Sequence, residues 1–291
     1  MLNQMEFTHD GKVVDKVEMA IRRLQAFEPK EEGYFVAFSG GKDSQCVYHL
    51  CKLAGVKFDA HYTITSVDPP ELYYFIRDMY PDVEMIRPTD EHGNRINMWN
   101  LIPRKLMPPT RLVRYCCEEL KETAGQGRVT VTGVRWAESA NRKNNQNLVT
   151  IQKINKTLRE WLDENEVSYT QTKKGGVILN LDNDEARRSV EHCFRTHKTL
   201  VNPIIDWTDE DVWEFLNDVV KVPHCRLYDE GCKRIGCIGC PMASQEKEFA
   251  RYPKFKNLYI HAFDKMLKVR AEKNLETEWK TGQEVFDWWV G

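Results

Sequence analysis

Ser39-Gly40-Gly41-Lys42-Asp43-Ser44 constrains the fold of this chain more than any other stretch, because of what lies on either side of it. Tyr34-Phe35-Val36-Ala37-Phe38 precedes it, a short apolar and aromatic run with the length of a buried strand. After it, Cys46, Val47, Leu50, Cys51, Leu53 and Ala54 recur at helical spacing, and Gly55 stands where a left-handed residue ends a helix. A strand, a glycine turn and a helix N-terminus together make a cradle for an anion. The glycines let successive N–H groups converge, and the helix dipole adds partial positive charge. Lys42 adds a full charge, Ser39 and Ser44 add hydroxyls, and Asp43 is placed to cap the helix or to hold a metal on phosphate oxygens. The spacing is not that of the Walker A loop, which needs four residues between its first glycine and Gly-Lys.

Further along, residues 58–64, 83–86 and 128–134 read as strands, and 13–27 and 69–80 as helices. Strands alternating with helices predict an α/β fold, a mostly parallel sheet with helices on both faces, plus a small insertion and a helical C-terminal region. Ligands of such sheets bind beyond the carboxyl ends of the strands. The Ser-Gly-Gly turn falls there, as do Thr65 to Asp68 and Gly133 to Arg135, which makes Asp68, Gly133 and Arg135 candidates for the same site. The organisation expected is an α/β core carrying the glycine loop over 1–140, an inserted hairpin or helical segment over 141–200, and a cysteine-rich segment with C-terminal helices packing on the core over 201–291. Short strand-like pieces at 148–151 and 177–181 mark the insertion, and Thr208-Asp209-Glu210-Asp211 begins a helix in the manner of a capping box.

The formal net charge of -2 gives no global attraction to nucleic acid or membrane, so any such surface is local. No apolar run approaches the ~20 residues that span a bilayer, and the first residues carry no basic-then-apolar export signal. Nine cysteines in such a chain are not expected to form a disulfide framework, and a cytoplasmic location follows. Cys46 and Cys51 fall on the apolar side of the first helix and read as core; Cys193, beside His192 and His197, reads as a surface thiol. The remaining six are different. Cys116-Cys117 is a vicinal pair, and Cys225, Cys232, Cys237 and Cys240 crowd into sixteen residues, with Cys237-Ile238-Gly239-Cys240 a C-x-x-C. Four thiolates suit a [4Fe-4S] cluster or a structural zinc, and the ligand set alone does not separate the two; a redox-active dithiol without metal is the third reading. Cys237 and Cys240 rank first as ligands, then Cys116 or Cys117, then Cys225, and Cys232 last.

The short glycine loop resembles the PP-loop of ATP pyrophosphatases. Taken in order with Arg114 to Lys121, Gly133-Val134-Arg135-Trp136, Asn202-Pro203-Ile204-Ile205-Asp206-Trp207 and Leu227 to Cys237, it is similar to the phosphoadenosine phosphosulfate reductase family over about residues 13 to 250. That resemblance implies an adenine nucleotide α-hydrolase-like fold. Ser39, Gly40, Gly41, Lys42, Asp43 and Ser44 would hold ATP or a related adenine nucleotide with Mg²⁺, Lys42 and Asp43 would be catalytic, and Gly133, Arg135 and Arg142 would line the nucleotide site. The cysteine pair followed by a distant C-x-x-C is similar to the cluster-bearing adenylylsulfate reductases. Those reductases attack sulfur with a C-terminal cysteine, and no cysteine follows Cys240 here. The expectation is therefore closer to the sulfurtransferase-like branch of DNA phosphorothioation systems, and to tRNA thiolation enzymes, a resemblance that implies ATP adenylation of an oxygen that sulfur then displaces; a thioredoxin-dependent reductase and a regulatory subunit with a structural metal are the alternatives. The partners this implies are a sulfur donor such as a cysteine desulfurase, a possible nucleic-acid acceptor, and further copies of the chain or a larger complex, with no membrane. Arg104, Lys105, Arg111, Arg114 and Lys121 form a local basic patch beside the cysteine pair.

Overall fold

Val36 and Val131, both fully buried, lie opposite one another in neighbouring parallel strands and mark the centre of the sheet. The computed structural model describes residues 5–7, 13–122, 124–152, 154, 156–172, 175–180 and 199–291. Its strands are β1 (Met5–Phe7), β2 (Val13–Asp15), β3 (Tyr34–Ala37), β4 (Phe58–Thr63), β5 (Glu84–Ile86), β6 (Val129–Val131), β7 (Val149–Ile151), β8 (Tyr169–Gln171), β9 (Val177–Leu179) and β10 (Thr199–Val201). β1 and β2 form an antiparallel hairpin, and the other eight make one sheet in the order β5-β4-β3-β6-β10-β7-β9-β8. β4, β3, β6 and β10 run parallel to one another, whereas β7, β9 and β8 extend the sheet antiparallel beyond β10. The fold is thus α/β, with a mostly parallel sheet, helices, and a helical C-terminal region.

Three local expectations change. The apolar pattern from Val13 does not start as a helix: β2 comes first, and Asp15 then caps α1 (Lys16–Ala26), accepting the N–H groups of Val17 and Glu18 at 2.8 and 3.2 Å. β10 was not expected, yet it stands between β6 and β7 and is buried along its length. The third is the helix Met98–Lys105, which its internal Pro103 conceals; a reciprocal Asn97–Asn100 cap starts it. The strand pieces of the insertion do form, as β7 and β9, and they join the main sheet through β10. Cys193, His192 and His197 lie outside the described residues. Among the described residues no helix is long and apolar enough to cross a membrane.

The chain divides into two compact units. The first comprises Met1–Tyr62, Asp78–Glu84 and Gly125–Cys225 and holds most of the sheet, with α1 and α2 (Lys42–Ala54). Gly55 ends α2 in the left-handed region at φ +67°, as its position in the sequence predicts. Cys46 and Cys51 are fully buried in this helix, so the core reading holds. The second unit comprises Thr63–Arg77, Met85–Ala124 and Arg226–Gly291. Its core gathers Leu101, Ile102, Ile238, Tyr259, Phe263, Met266, Phe286 and Trp289, an aromatic-rich cluster built on the helices Pro253–Glu272 and Gly282–Val290. Trp289 is buried and donates its indole N–H to the Pro109 carbonyl at 2.6 Å, while Trp288 is exposed.

Candidate functional site: a cation pair at the glycine loop and a cysteine loop

Between β3 and α2 the chain turns through Gly40, whose φ of +70° only glycine adopts without strain. Gly41 is the helix N-cap and has no side chain to accept a bond, so the first-turn N–H groups of α2 have no intrahelical partners and face the loop. Ser44 ties the loop together: its Oγ donates to the Gly41 carbonyl at 2.9 Å and lies 3.2 Å from both the N–H and the hydroxyl of Ser39. Asp43 does not cap the helix. Its carboxylate accepts from Arg135 Nε at 2.7 Å and lies 3.3 Å from Lys42 Nζ. Lys42 and Arg135 are both buried, Arg135 at 1% exposure, and two buried cations need counter-charge.

Asp209 supplies the second carboxylate. It meets Lys42 Nζ at 2.9 Å and Arg135 Nη2 at 2.8 Å, and Arg135 Nη1 donates to the Trp207 carbonyl at 3.1 Å. The hydrogen bond from Lys42, and then that from Arg135, hold the Asp209 carboxyl below its usual range. Burial would push the Arg135 guanidinium down, but Asp43 and Asp209 outweigh it and hold it above its ordinary value. The backbone that presents Trp207 and Asp209 is clamped. Asn202, fully buried, donates to Asn147 O at 2.7 Å; Asp206 takes a two-pronged pair from Arg23 at 2.8 and 3.0 Å; Asp211 takes the buried Lys16 ammonium at 2.7 Å. Thr208 caps the following helix, as expected, through Asp211 N.

Gly133 has no room for a side chain, because a Cβ there would come within 2.7 Å of the Asp43 backbone. Arg142 pairs with Glu138, which also accepts the Arg135 N–H at 3.2 Å, so Arg142 joins the same group through one shared carboxylate. The structure therefore brings Ser39, Gly40, Gly41, Lys42, Asp43, Ser44, Gly133, Arg135 and Arg142 together within the first unit. Sequence reasoning read Asp209 only as part of a helix start.

The second unit carries the cysteine loop. Cys116 and Cys117 end a single helical turn (Tyr115–Cys117) that widens into a π-helical turn over Glu118–Glu122. Gly239 within the C-x-x-C has φ +74°, and a Cβ there would strike Phe249 at 2.6 Å and Tyr259 at 2.9 Å. The loop is fastened from inside: Ile238 N–H donates to Val67 O at 2.7 Å, Tyr259 Oη to Ile238 O at 2.9 Å, and Gly239 N–H to Glu248 at 2.7 Å. The hydrogen bond with Cys117, and then burial and the charges of Cys117, Cys237 and Cys240, push the Cys116 thiol up. Burial also pushes Cys237 up, against the pull of Lys121 and the Thr65 hydroxyl, whose Oγ1 lies 3.7 Å from Sγ. The Cys237 thiolate in turn raises Lys121, as do Asp68 and Cys117. Asp68 itself accepts the Thr65 N–H at 2.8 Å and lines a cavity of about 230 Å³ with Ile64, Ser66, Pro70, Tyr73 and Tyr74.

Cys116, Cys117, Cys237 and Cys240 thus share one electrostatic neighbourhood, although among the described residues no three His, Cys, Asp or Glu side chains stand in metal-holding geometry. Cys225 belongs to the first unit, where it is buried, and Cys232 to the second, half-buried. Of the basic patch, Arg104 and Lys105 pair with Glu119 at 3.3 and 2.6 Å, and Arg111 donates to Pro241 O at 2.8 Å.

Two uncharacterised proteins of Methanocaldococcus jannaschii are 25% and 24% identical to this protein, over 82% and 87% of this chain and 48% and 45% of theirs, so the chain spans about half the length of these curated relatives. The adenosine 5'-phosphosulfate reductase of Oceanobacillus iheyensis is 37% identical over 60 residues, 21% of each chain. Among solved structures, Candida glabrata FMN adenylyltransferase with FAD and inorganic pyrophosphate aligns at TM-score 0.40 and 13% identity, covering 77% of this chain and 64% of that one. The phosphoadenosine phosphosulfate reductase domain matches residues 33–243, from the turn before β3 to just past the C-x-x-C, and on that match the chain belongs to the phosphoadenosine phosphosulfate reductase domain family.

Proposed function

We propose that this protein is a PP-loop ATP pyrophosphatase of sulfurtransferase type, which adenylates an acceptor and prepares it for sulfur insertion. The observation that carries the reading is the pair of buried cations, Lys42 and Arg135, set beside the N-terminus of α2 at the carboxyl end of β3. Such a site suits a polyphosphate: the α2 N–H groups and Lys42 would take the phosphate oxygens, and Arg135 would neutralise charge as pyrophosphate departs. Asp43, which accepts from Arg135, would hold Mg²⁺ on those oxygens.

Four cysteines in one neighbourhood, with a lysine beside them, fit an iron–sulfur cluster in donor chemistry, and zinc is the alternative the same thiolates admit. Cys116, Cys117, Cys237 and Cys240 would hold it. When bound, it would supply sulfur-relay or electron-transfer chemistry. Lys121 would offset the negative charge of the thiolates. A cysteine desulfurase as sulfur donor, and a nucleic acid as acceptor, are the partners this chemistry asks for.

A second reading is a sulfonucleotide reductase, favoured by the local likeness to adenosine 5'-phosphosulfate reductases. The two separate on their products. The pyrophosphatase turns ATP into AMP, or an adenylated acceptor, plus pyrophosphate, and loses this with Lys42→Ala; thioredoxin-dependent release of sulfite from a sulfonucleotide would establish the reductase instead.

A further inference from the structure

Asp209 bridges two buried cations from the solvent side. Its carboxylate takes Lys42 at 2.9 Å and Arg135 at 2.8 Å, the two cations that the proposed function assigns to the nucleotide, yet its side chain is 65% exposed while theirs are 8% and 1% exposed. Asp43 alone cannot neutralise both cations, and buried cations without counter-charge are costly, so a second carboxylate faces them. The two carboxylates are not equivalent. Asp43 is 23% exposed and lies in the first turn of α2, under Gly133. Asp209 is the residue after the Thr208 cap; its backbone is anchored on either side by Arg23–Asp206 and Lys16–Asp211, while its side chain opens to solvent.

We infer that Asp209 is a placeholder for phosphate: it neutralises Lys42 and Arg135 in the nucleotide-free protein and swings out by side-chain rotation when a phosphate takes those cations. The inference rests on the phosphate-binding reading of the loop and adds a consequence of opposite sign to the usual loss on mutating a site. Asp209 is a competitor, so the apparent affinity for phosphate is reduced by the fraction of time its carboxylate occupies the cations. Removing it should strengthen binding. Pairs with one partner this exposed are worth little individually, which sets the expected gain at about threefold to tenfold.

The test is calorimetric titration of the full chain with inorganic pyrophosphate, without added divalent cation, for the wild type, Asp209→Asn, Asp209→Glu, Glu210→Gln and Lys42→Ala. The placeholder predicts about threefold to tenfold tighter binding for Asp209→Asn, near wild-type binding for Asp209→Glu, and no change for Glu210→Gln, which removes an exposed charge of the same turn. Lys42→Ala should lose binding. Unchanged or weaker binding by Asp209→Asn overturns the inference, the weaker result making Asp209 a group that helps to hold the ligand. An equal gain from Glu210→Gln also overturns it, by reducing the effect to net charge. Asp209→Ser, which suits a helix start, replaces Asn if that variant folds poorly. If the wild type and every variant fail to bind pyrophosphate, the reading of the loop falls and the placeholder falls with it; if the wild type binds and only the Asp209 prediction fails, the loop reading stands.

Discussion

Gly133 and Asp43 meet backbone to backbone: a Cβ built on Gly133 would lie 2.7 Å from both the carbonyl carbon and the carbonyl oxygen of Asp43. Neither atom is the end of a flexible side chain, so the contact cannot be relieved without moving the first turn of α2. Gly133→Ala is expected to displace Asp43 from Arg135 and to weaken pyrophosphate binding at least tenfold. It should also destabilise the first unit by about 1–3 kcal/mol, the usual cost of overpacking. Binding near the wild-type value, by the titration above, would show that the approach does not matter to the site.

The Lys16–Asp211 pair holds the backbone that carries Asp209, with Lys16 at 5% and Asp211 at 12% side-chain exposure. Lys16→Met leaves a nearly buried carboxylate without its cation and should cost roughly 3 kcal/mol in denaturant unfolding.

Acid should undo the same region. Burial opposes ionisation of Asp211, but the hydrogen bonds from Lys16 and Thr208 prevail, and Asp209 is also held below its usual range. A carboxylate with a lowered folded pKa contributes stability that is fully present above the unfolded value, near pH 4, and lost as pH falls through the folded value. Unfolding free energy should therefore be flat from about pH 7 to 5 and decline below about pH 4. Asp211→Asn should flatten that decline.

How much of this could be read from the residues depends on the range of the interaction. The glycine loop, the Gly55 stop and the Thr208 cap are decided within a few positions, and all three are found where the sequence places them. β10 is three residues long, too short for a periodic pattern, and is a strand because β6 and β7 flank it. Asp209 looks like any acidic residue at a helix start; its meeting with Arg135, 74 positions away, depends on the sheet order that β10 completes. The C-x-x-C is legible as a thiol site, but in the sequence Lys121 is one basic residue among several near the cysteine pair, and its closeness to Cys237 comes only with the fold.

Lys121 gives a further prediction. Its ammonium pulls the Cys237 thiol down against burial, so Lys121→Met should raise the Cys237 pKa and slow alkylation of that thiol at pH 8 in reduced, metal-free protein. An unchanged rate at Cys237, read by peptide mass spectrometry, would remove the lysine from the account of the cysteine loop.

Gly239→Ala addresses the same loop through packing. With φ at +74° and Phe249 and Tyr259 within 2.9 Å of the new Cβ, it should lower the stability of the second unit by about 2 kcal/mol or more. Thermal unfolding followed by tryptophan fluorescence, to which Trp289 in this core contributes, measures it.

The central claim is tested most directly by identifying what ATP becomes. The cluster-loaded protein, purified anaerobically and incubated with ATP, Mg²⁺, a persulfide donor and nucleic acid, should release pyrophosphate together with AMP or an adenylated acceptor, and Lys42→Ala should release neither. Accumulation of ADP and orthophosphate that disappears in Lys42→Ala would place cleavage at the wrong phosphate bond and contradict the account.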